Sequence, residues 1–466
     1  MRLIRGTVIR TIAIVAAAIP LVALAQAPGA LEGRPAAAAR SPLQSRVDQA
    51  TPGATLIVEP GTYRGDLLID KPLTLIGRGQ ALLVGSGGGS VVRVRADDVT
   101  IEGFAIDGGG GGDLGRDSAG IHVSGRRVTV RGARIRNALF GVYLHAAHGA
   151  VVEDSEIIGI PGKAPGEKGS GIHVWNTDRF SLARNVIRDV RDGFYIQSSP
   201  NGLVTGNTAI DLRYGLHYMF SDDNVFEDNT FENGAAGAAL MYSRRLVFRR
   251  NRFVRNRGFA SVGLLLRSCE DVEASDNLVA DNARGLFVEG AIRNVFERNI
   301  IAASDVALVL YDSNSGVRFS GNAFVGNLSP LTLVGRRTDT IVSGNYWSDH
   351  GQPDLDGDGV ADRPYRLSNV FDHFRGNLTA ADLFADGIAA RAIGAAERTF
   401  PVLRATPVVD ERPLARPPAL PDVPVPDPEA GARSPLGLGL SAGSLIAGLL
   451  GWRAGRRGRA FRGARL

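Results

Sequence analysis

Residues 171–253 read GIHVWNTDRFSLARNVI from Gly171, GFYIQSSPNGLVTGNTA from Gly193, GLHYMFSDDNVFEDNTF from Gly215 and GAALMYSRRLVFRRNRF from Gly237. Two further copies begin at Gly263 and Gly285, so the glycines are spaced 22, 22, 22, 26 and 22 residues apart. Fourteen residues after each glycine stands an asparagine: Asn185, Asn207, Asn229, Asn251, Asn277 and Asn299. Weaker copies begin at Gly120, Gly141, Ala307 and Leu331. A fixed period of this length without helical periodicity marks a solenoid, and short alternating apolar runs make it a β-solenoid.

The first and third residues after each glycine are apolar, as in Ile172 and Val174, Phe194 and Ile196, or Leu216 and Tyr218. Alternation turns them inward. Leu182, Val204, Phe226, Phe248 and Phe296 form a second inward column, and Phe231, Phe253, Val279 and Ile301 a third. The asparagines read as an amide ladder at a tight turn, since Asn tolerates the left-handed backbone and can bond along a stack. The segment Thr55 to Gly79 has the same strand-and-turn character and supplies the opening coils. The expected organisation is an all-β solenoid over residues 41–375 with about 22 residues per coil, followed by a helix over 376–400 that covers the open strand edge.

The second and fourth positions of each unit must then point outward. The second-position column reads His122, Tyr143, His173, Tyr195 and His217; the fourth reads Ser124, His145, Trp175, Gln197, Met219 and Met241. Four of the seven histidines and both methionines after Met1 therefore fall on one face. Met219 and Met241 share a column one coil apart, with His217 two residues before Met219. Soft thioethers beside imidazole suit Cu(I), whereas hard cations call for oxygen ligands. This makes His217, Met219 and Met241 the primary candidate ligands, His173 and His145 relay positions, and His122, Tyr143, Trp175 and Tyr195 an exposed partner face. An aromatic-and-Met stripe for a protein or a sugar is the alternative reading. His148, His350 and His373 fall outside the columns and read as solvated or packing residues, and Cys269 reads as a buried thiol rather than a reserve ligand. Extra residues ahead of Gly120, Gly171 and Gly263 place loops at the rim of this face, where recognition is commonly carried.

The formal charge of +5 belongs to the ends of the 466-residue chain. Without three arginines in the first 25 residues and six in the last 14, 44 basic residues face 48 acidic ones. The body is therefore not a nucleic-acid binder. Residues 1–25 have the layout of a cleavable export signal, with an apolar run from Thr11 to Leu24 and the site Ala23-Leu24-Ala25. A flexible segment over 26–40 follows. One cysteine allows no internal disulfide. Ten of the 23 prolines lie between Pro401 and Pro435, which reads as an extended linker. Residues 436–466 combine an apolar, Gly-rich stretch with an Arg-rich end, and read either as a membrane anchor or as a frayed tail. Asp354, Asp356, Asp358 and Asp362 match the oxygen spacing of a calcium loop, although Tyr365 stands where the closing Glu would be.

Together, the opening PGTYRGDLLIDKPLTLIGRG, the 22-residue coils and the closing GNYWSDHGQPDLDGDGVADRPYR from Gly344 resemble the NosD family of periplasmic maturation proteins for nitrous-oxide reductase. The resemblance covers most of residues 41–400. It implies a right-handed parallel β-helix of the pectin-lyase type. It also implies an accessory protein, not an enzyme, that works in the periplasm with an ABC transporter permease and ATPase and a copper chaperone on the reductase's copper centres. The competing reading is a polysaccharide-binding or polysaccharide-modifying β-helix, a lyase or epimerase. Those chemistries need converging carboxylates or a base with charge neutralisation. Glu289 is the one carboxylate in either outward column between Gly171 and Leu331.

Overall fold

A computed structural model describes residues 41–367, except 113, 259, 336 and 337, together with residues 392 and 408–418. The export-signal, N-terminal flexible and tail segments, and the expected helix over 376–400 apart from residue 392, lie outside the described residues. No helix among the described residues is long and apolar enough to cross a membrane.

The chain winds into a right-handed parallel β-helix. One face is a twelve-stranded parallel sheet running from Leu67–Ile69 to Ser329–Val334, and the other coil strands join in a 24-stranded sheet. Each coil pairs with the next in the predicted register: Phe194 with Leu216, Val204 with Phe226, Phe231 with Phe253. The inward columns form one continuous core. Phe226 stacks on Phe248 at 4.4 Å and Phe296 on Phe319 at 4.6 Å, so identical side chains repeat at the strand spacing.

The asparagine ladder is present and buried. The backbone N–H of Asn185 donates to Asn207 Oδ1 (2.9 Å), that of Asn207 to Asn229 (3.0 Å), and the series continues through Asn251, Asn277, Asn299 and Asn322 to Asn345. Each amide Nδ2 also donates to a backbone carbonyl of the preceding coil, such as Asn229 Nδ2 to Val204 O at 2.8 Å. The left-handed residue is not the asparagine but the one before it: Arg184, Gly206, Asp228, Arg250, Asp276, Arg298, Gly321 and Gly344 all have φ between 52° and 75°. The ladder thus holds a bend that its neighbour makes.

Both ends are closed by segments with no place in the repeat. At the start, Pro42–Gln49 is a helix with Ser41 as N-cap and Leu43 and Val47 buried in the core. Its Gln44 amide accepts from Leu68 N (2.7 Å) and donates to Leu68 O (3.0 Å), replacing a missing strand on the first coil. At the other end, residues 408–418 depart from the extended linker expected over 401–435. Val409–Asp410 pairs with Tyr365–Arg366, and Asp410 is fully buried. Its carboxylate accepts from Gly344 N, Asn345 N, Asn345 Nδ2 and Trp347 Nε1 at 2.9–3.2 Å. A carboxylate completes the amide ladder because the last coil leaves N–H donors that need acceptors.

Candidate functional site

The outward columns lie on the twelve-stranded sheet, whose register aligns His122, Tyr143, His173, Tyr195 and His217 coil by coil. The first four rings stack nearly parallel, with centroid separations of 5.2, 4.4 and 4.4 Å. His217 breaks the stack and meets Tyr195 edge-on at 4.9 Å. The expectation of an exposed partner face does not hold for these residues. Tyr143 is only 3% exposed and the others of this column are half-buried. The loops ahead of Gly120 and Gly171 are the cause, since Leu114 and Ile160 pack with Leu139, Phe140 and Tyr143. Asp117 of the first loop is hydrogen-bonded to Tyr143, and burial raises its carboxyl pKa. The second-position column is outward but walled in.

Burial sets the chemistry of the stack. His173 sits between two tyrosine rings with a buried Nδ1 that has no hydrogen-bond partner. Desolvation, helped by the charge of Arg191, depresses its pKa to about 3, so it is a neutral imidazole at physiological pH.

At the His217 end the structure adds a group the sequence reading missed. Asp192, the residue before Gly193, is fully buried. Arg213, one coil later, pairs with it in a fork at 2.8 and 2.6 Å, and His217 Nδ1 lies 3.4 Å away. Burial alone would raise its pKa, but His217 and Arg213 together outweigh that and bring it down to about 2. Arg213 Nη2 lies equally close to Nδ1 (3.4 Å), but it is already bound to the carboxylate, and a buried carboxylate favours the tautomer in which Nδ1 donates to it; that tautomer leaves the lone pair on Nε2, the arrangement that orients histidines toward metals. Other coils place Ala, Phe, Ser, Tyr, Val or, at Arg284, a cation at the Asp192 position, so the sequence signal was one acid in that column followed by Arg213 in the next coil.

The fourth-position column is half-buried. His145 stacks on Trp175 at 4.9 Å, and Gln197, Met219 and Met241 follow in register. Met219 and Met241 are direct cross-coil partners with His217 in the same strand as Met219. His173 lies two coils from His217 and His145 three coils from Met219, about 10 and 14 Å at the usual strand spacing. Neither can share a first coordination sphere with the methionines. Beyond Met241 the column turns charged: Arg267 pairs with Glu289 at 2.8 Å. Cys269 is buried, with its thiol pKa pushed by desolvation up to about 12, which removes it as a thiolate ligand.

Phe220 and Tyr242 directly follow the two methionines. They are 54% and 43% exposed, stack on each other at 5.2 Å, and carry φ of 50° and 53°. In the same column Ala146, Asn176, Ser198, Ser268 and Gly290 are small or polar. Two bulky aromatics in the left-handed region, half exposed to water, add little to the fold beyond their contact with each other.

The acidic loop is partly as expected. Carboxylate oxygens of Asp354, Asp356 and Asp358 lie within 4.8 Å of one another. Asp362 instead accepts from Leu355 N (3.0 Å), and the Tyr365 hydroxyl donates to Asp349.

Residues 158–371 match the family model described as periplasmic copper-binding protein (NosD), and residues 83–220 match a right-handed β-helix region. The chain is 29% identical to the probable ABC transporter binding protein NosD of Stutzerimonas stutzeri, over 76% of this chain and 85% of that one. The Pseudomonas aeruginosa protein of the same name is also 29% identical, over 77% and 87%. Among solved structures, the mannuronan C-5 epimerase AlgE6 A-module of Azotobacter vinelandii superposes with a TM-score of 0.53 at 17% identity, covering 65% of this chain and 93% of that one. A PL6 alginate lyase superposes with 0.51 at 15% identity, over 66% and 82%. These two likenesses concern the fold alone.

Proposed function

We propose that the chain, similar to the NosD proteins over three quarters of its length, is a periplasmic accessory protein of that family for maturation of nitrous-oxide reductase that receives and passes on Cu(I). The observation carrying this reading is the Met219–Met241 pair in register, beside a His217 oriented by buried Asp192. Two thioethers and an imidazole suit Cu(I) and disfavour hard cations. The family's description as copper-binding and the relatives' name as ABC transporter binding proteins support the same reading. The exposed Phe220–Tyr242 pair is where a copper chaperone or the reductase docks, so that metal changes hands by ligand exchange. His173 and His145 take no direct part. On this reading the protein has no enzymatic activity, residues 436–466 tether it to the inner membrane, and any calcium at Asp354, Asp356 and Asp358 is structural.

Titration of the purified protein with Cu(I) against a chromophoric chelator tests the site. Tight one-to-one binding that disappears in Met219→Leu/Met241→Leu supports it, and full affinity in that variant would end it.

A second reading draws on Tyr195, His217 and Arg213, which supply the base and charge neutralisation that uronate chemistry needs. Their mutual pairing with Asp192 argues for a positioning role instead. Release of unsaturated uronate from alginate or pectate would restore the enzyme reading.

A further inference from the structure

At the turn after the metal-candidate sheet, one column is left-handed in many coils and carries alternating charge. Arg127 forks onto Asp98 (2.7 and 2.7 Å), Arg245 onto Asp223 (2.6 and 2.8 Å) and Arg293 onto Asp271 (2.7 and 2.7 Å). Each arginine reaches back one coil to an aspartate. The rule fails once. Between Arg127 and Arg179 the column holds Gly149, with φ of 74°. Arg179 finds no acid one coil back and turns to its own neighbour, Asp178 (3.0 Å).

The missing side chain leaves a cleft of about 400 Å³ lined by Arg126, Arg127, His148, Gly149, Asp178 and Arg179. Three guanidinium groups line it: Arg127 is held by Asp98 and Arg179 by Asp178, and Arg126 is the cation left over. Asp178 is already committed, to Arg179 and to Asn201 Nδ2 (2.9 Å). Arg126 has no ion pair among the described residues. His148 Nδ1 accepts the N–H of Asp178 (3.1 Å), which leaves its Nε2 as a proton donor. Every uncommitted group in the cleft is therefore a donor or a cation.

We propose that this cleft binds a small oxyanion carrying two or more negative charges, a polycarboxylate or a tetrahedral anion. Guanidinium forks match both shapes, and the volume falls in the range of small-molecule sites. The site is independent of the metal-candidate face and of the reading given to it.

The test uses the full-length chain and calorimetric titration with citrate, phosphate and sulfate at constant low ionic strength, with chloride as reference. At least one of the three is expected to bind saturably. Arg126→Gln/Arg179→Gln should weaken that binding by about tenfold or more. Gly149→Asp is the sharper variant. An added Cβ there meets Arg127 alone, Cγ at 3.5 Å and the backbone Cα and N at 3.9 Å, all ordinary contacts, and aspartates already occupy this backbone region at Asp98, Asp223 and Asp271. The new carboxylate restores the ladder, so the unfolding temperature should hold or rise while anion binding is lost. No saturable binding of any of the three anions up to about 10 mM would overturn the proposal, as would unchanged affinity in a folded Gly149→Asp protein.

Discussion

Met219 and Met241 face each other in register across two adjacent coils, one residue apart from the stacked Phe220 and Tyr242. Thioethers contribute little to packing that leucine cannot replace, because volume-conserving swaps cost below about 1.5 kcal/mol. Met219→Leu/Met241→Leu should therefore leave the unfolding midpoint nearly unchanged while weakening Cu(I) binding by about a hundredfold or more, measured by chelator competition. Loss of fold and affinity together would mean that the pair is structural.

Asp192 acts through His217. Asp192→Asn keeps the shape but weakens the hold on the ring's tautomer, and loss of the partner that orients a metal-binding histidine costs about 10- to 100-fold in metal affinity. The same variant has a pH signature. The native pKa of Asp192, near 2, lies below its unfolded value near 3.8, so the carboxylate contributes stability that is complete above pH 4 and lost as pH falls toward 2. The contribution is roughly 2 kcal/mol. Urea unfolding of wild type and variant at pH 6 and pH 3 should show the difference narrowing in acid.

Phe220 and Tyr242 hold a backbone conformation that costs about 1 kcal/mol or more for a bulky residue, and about half of their surface contacts water. Phe220→Asn/Tyr242→Asn should hold or raise thermal stability, since Asn tolerates the same φ. If the pair serves docking, copper delivery to the reductase falls in cells while Cu(I) affinity of the purified variant stays intact. A stable variant with normal reductase copper content would refute the docking role.

The coil was legible because each unit repeats the same apolar columns, and a column of identical side chains has one way to stack. The Met pair followed from register alone. What register cannot report is how far a loop folds back. The outward direction of Tyr143 and His173 was readable, but the cover over them comes from Leu114 and Ile160 in loops outside the repeat. Asp192 was hidden for a related reason, since a single acid in a mostly apolar column looks like surface until Arg213 is placed beside it. Proline density suggested an extended tail, yet Asp410 within it is the acceptor that the last coil's donors require.

The amide ladder predicts unequal costs along the solenoid. Asn229→Ala removes the acceptor for both the N–H and the amide of Asn207 and leaves a void in a buried turn, which should cost about 3 kcal/mol or more. Asp410→Ala strands donors only at the last coil, and coils interact chiefly with their neighbours. Its effect should be local: faster hydrogen exchange at Gly344, Asn345 and Trp347, with protection at Asn207 and Asn229 unchanged.

His173 supplies the strongest acid dependence. Its native pKa, about 3, lies far below its unfolded value of about 6.5. The unfolded chain therefore takes up a proton that the native state refuses, and stability rises with pH across the window from 3 to 6.5. Below about pH 6 each unit of acidification should cost about 1.4 kcal/mol from this one group. His173→Phe keeps an aromatic ring between Tyr143 and Tyr195 and removes the proton site. Chemical unfolding at pH 7, 5.5 and 4.5 should give a flatter profile for the variant than for the wild type, with the two diverging most at the lowest pH. Parallel profiles would show that His173 is charged or solvated in the native state, and the walled-in stack would then be wrong.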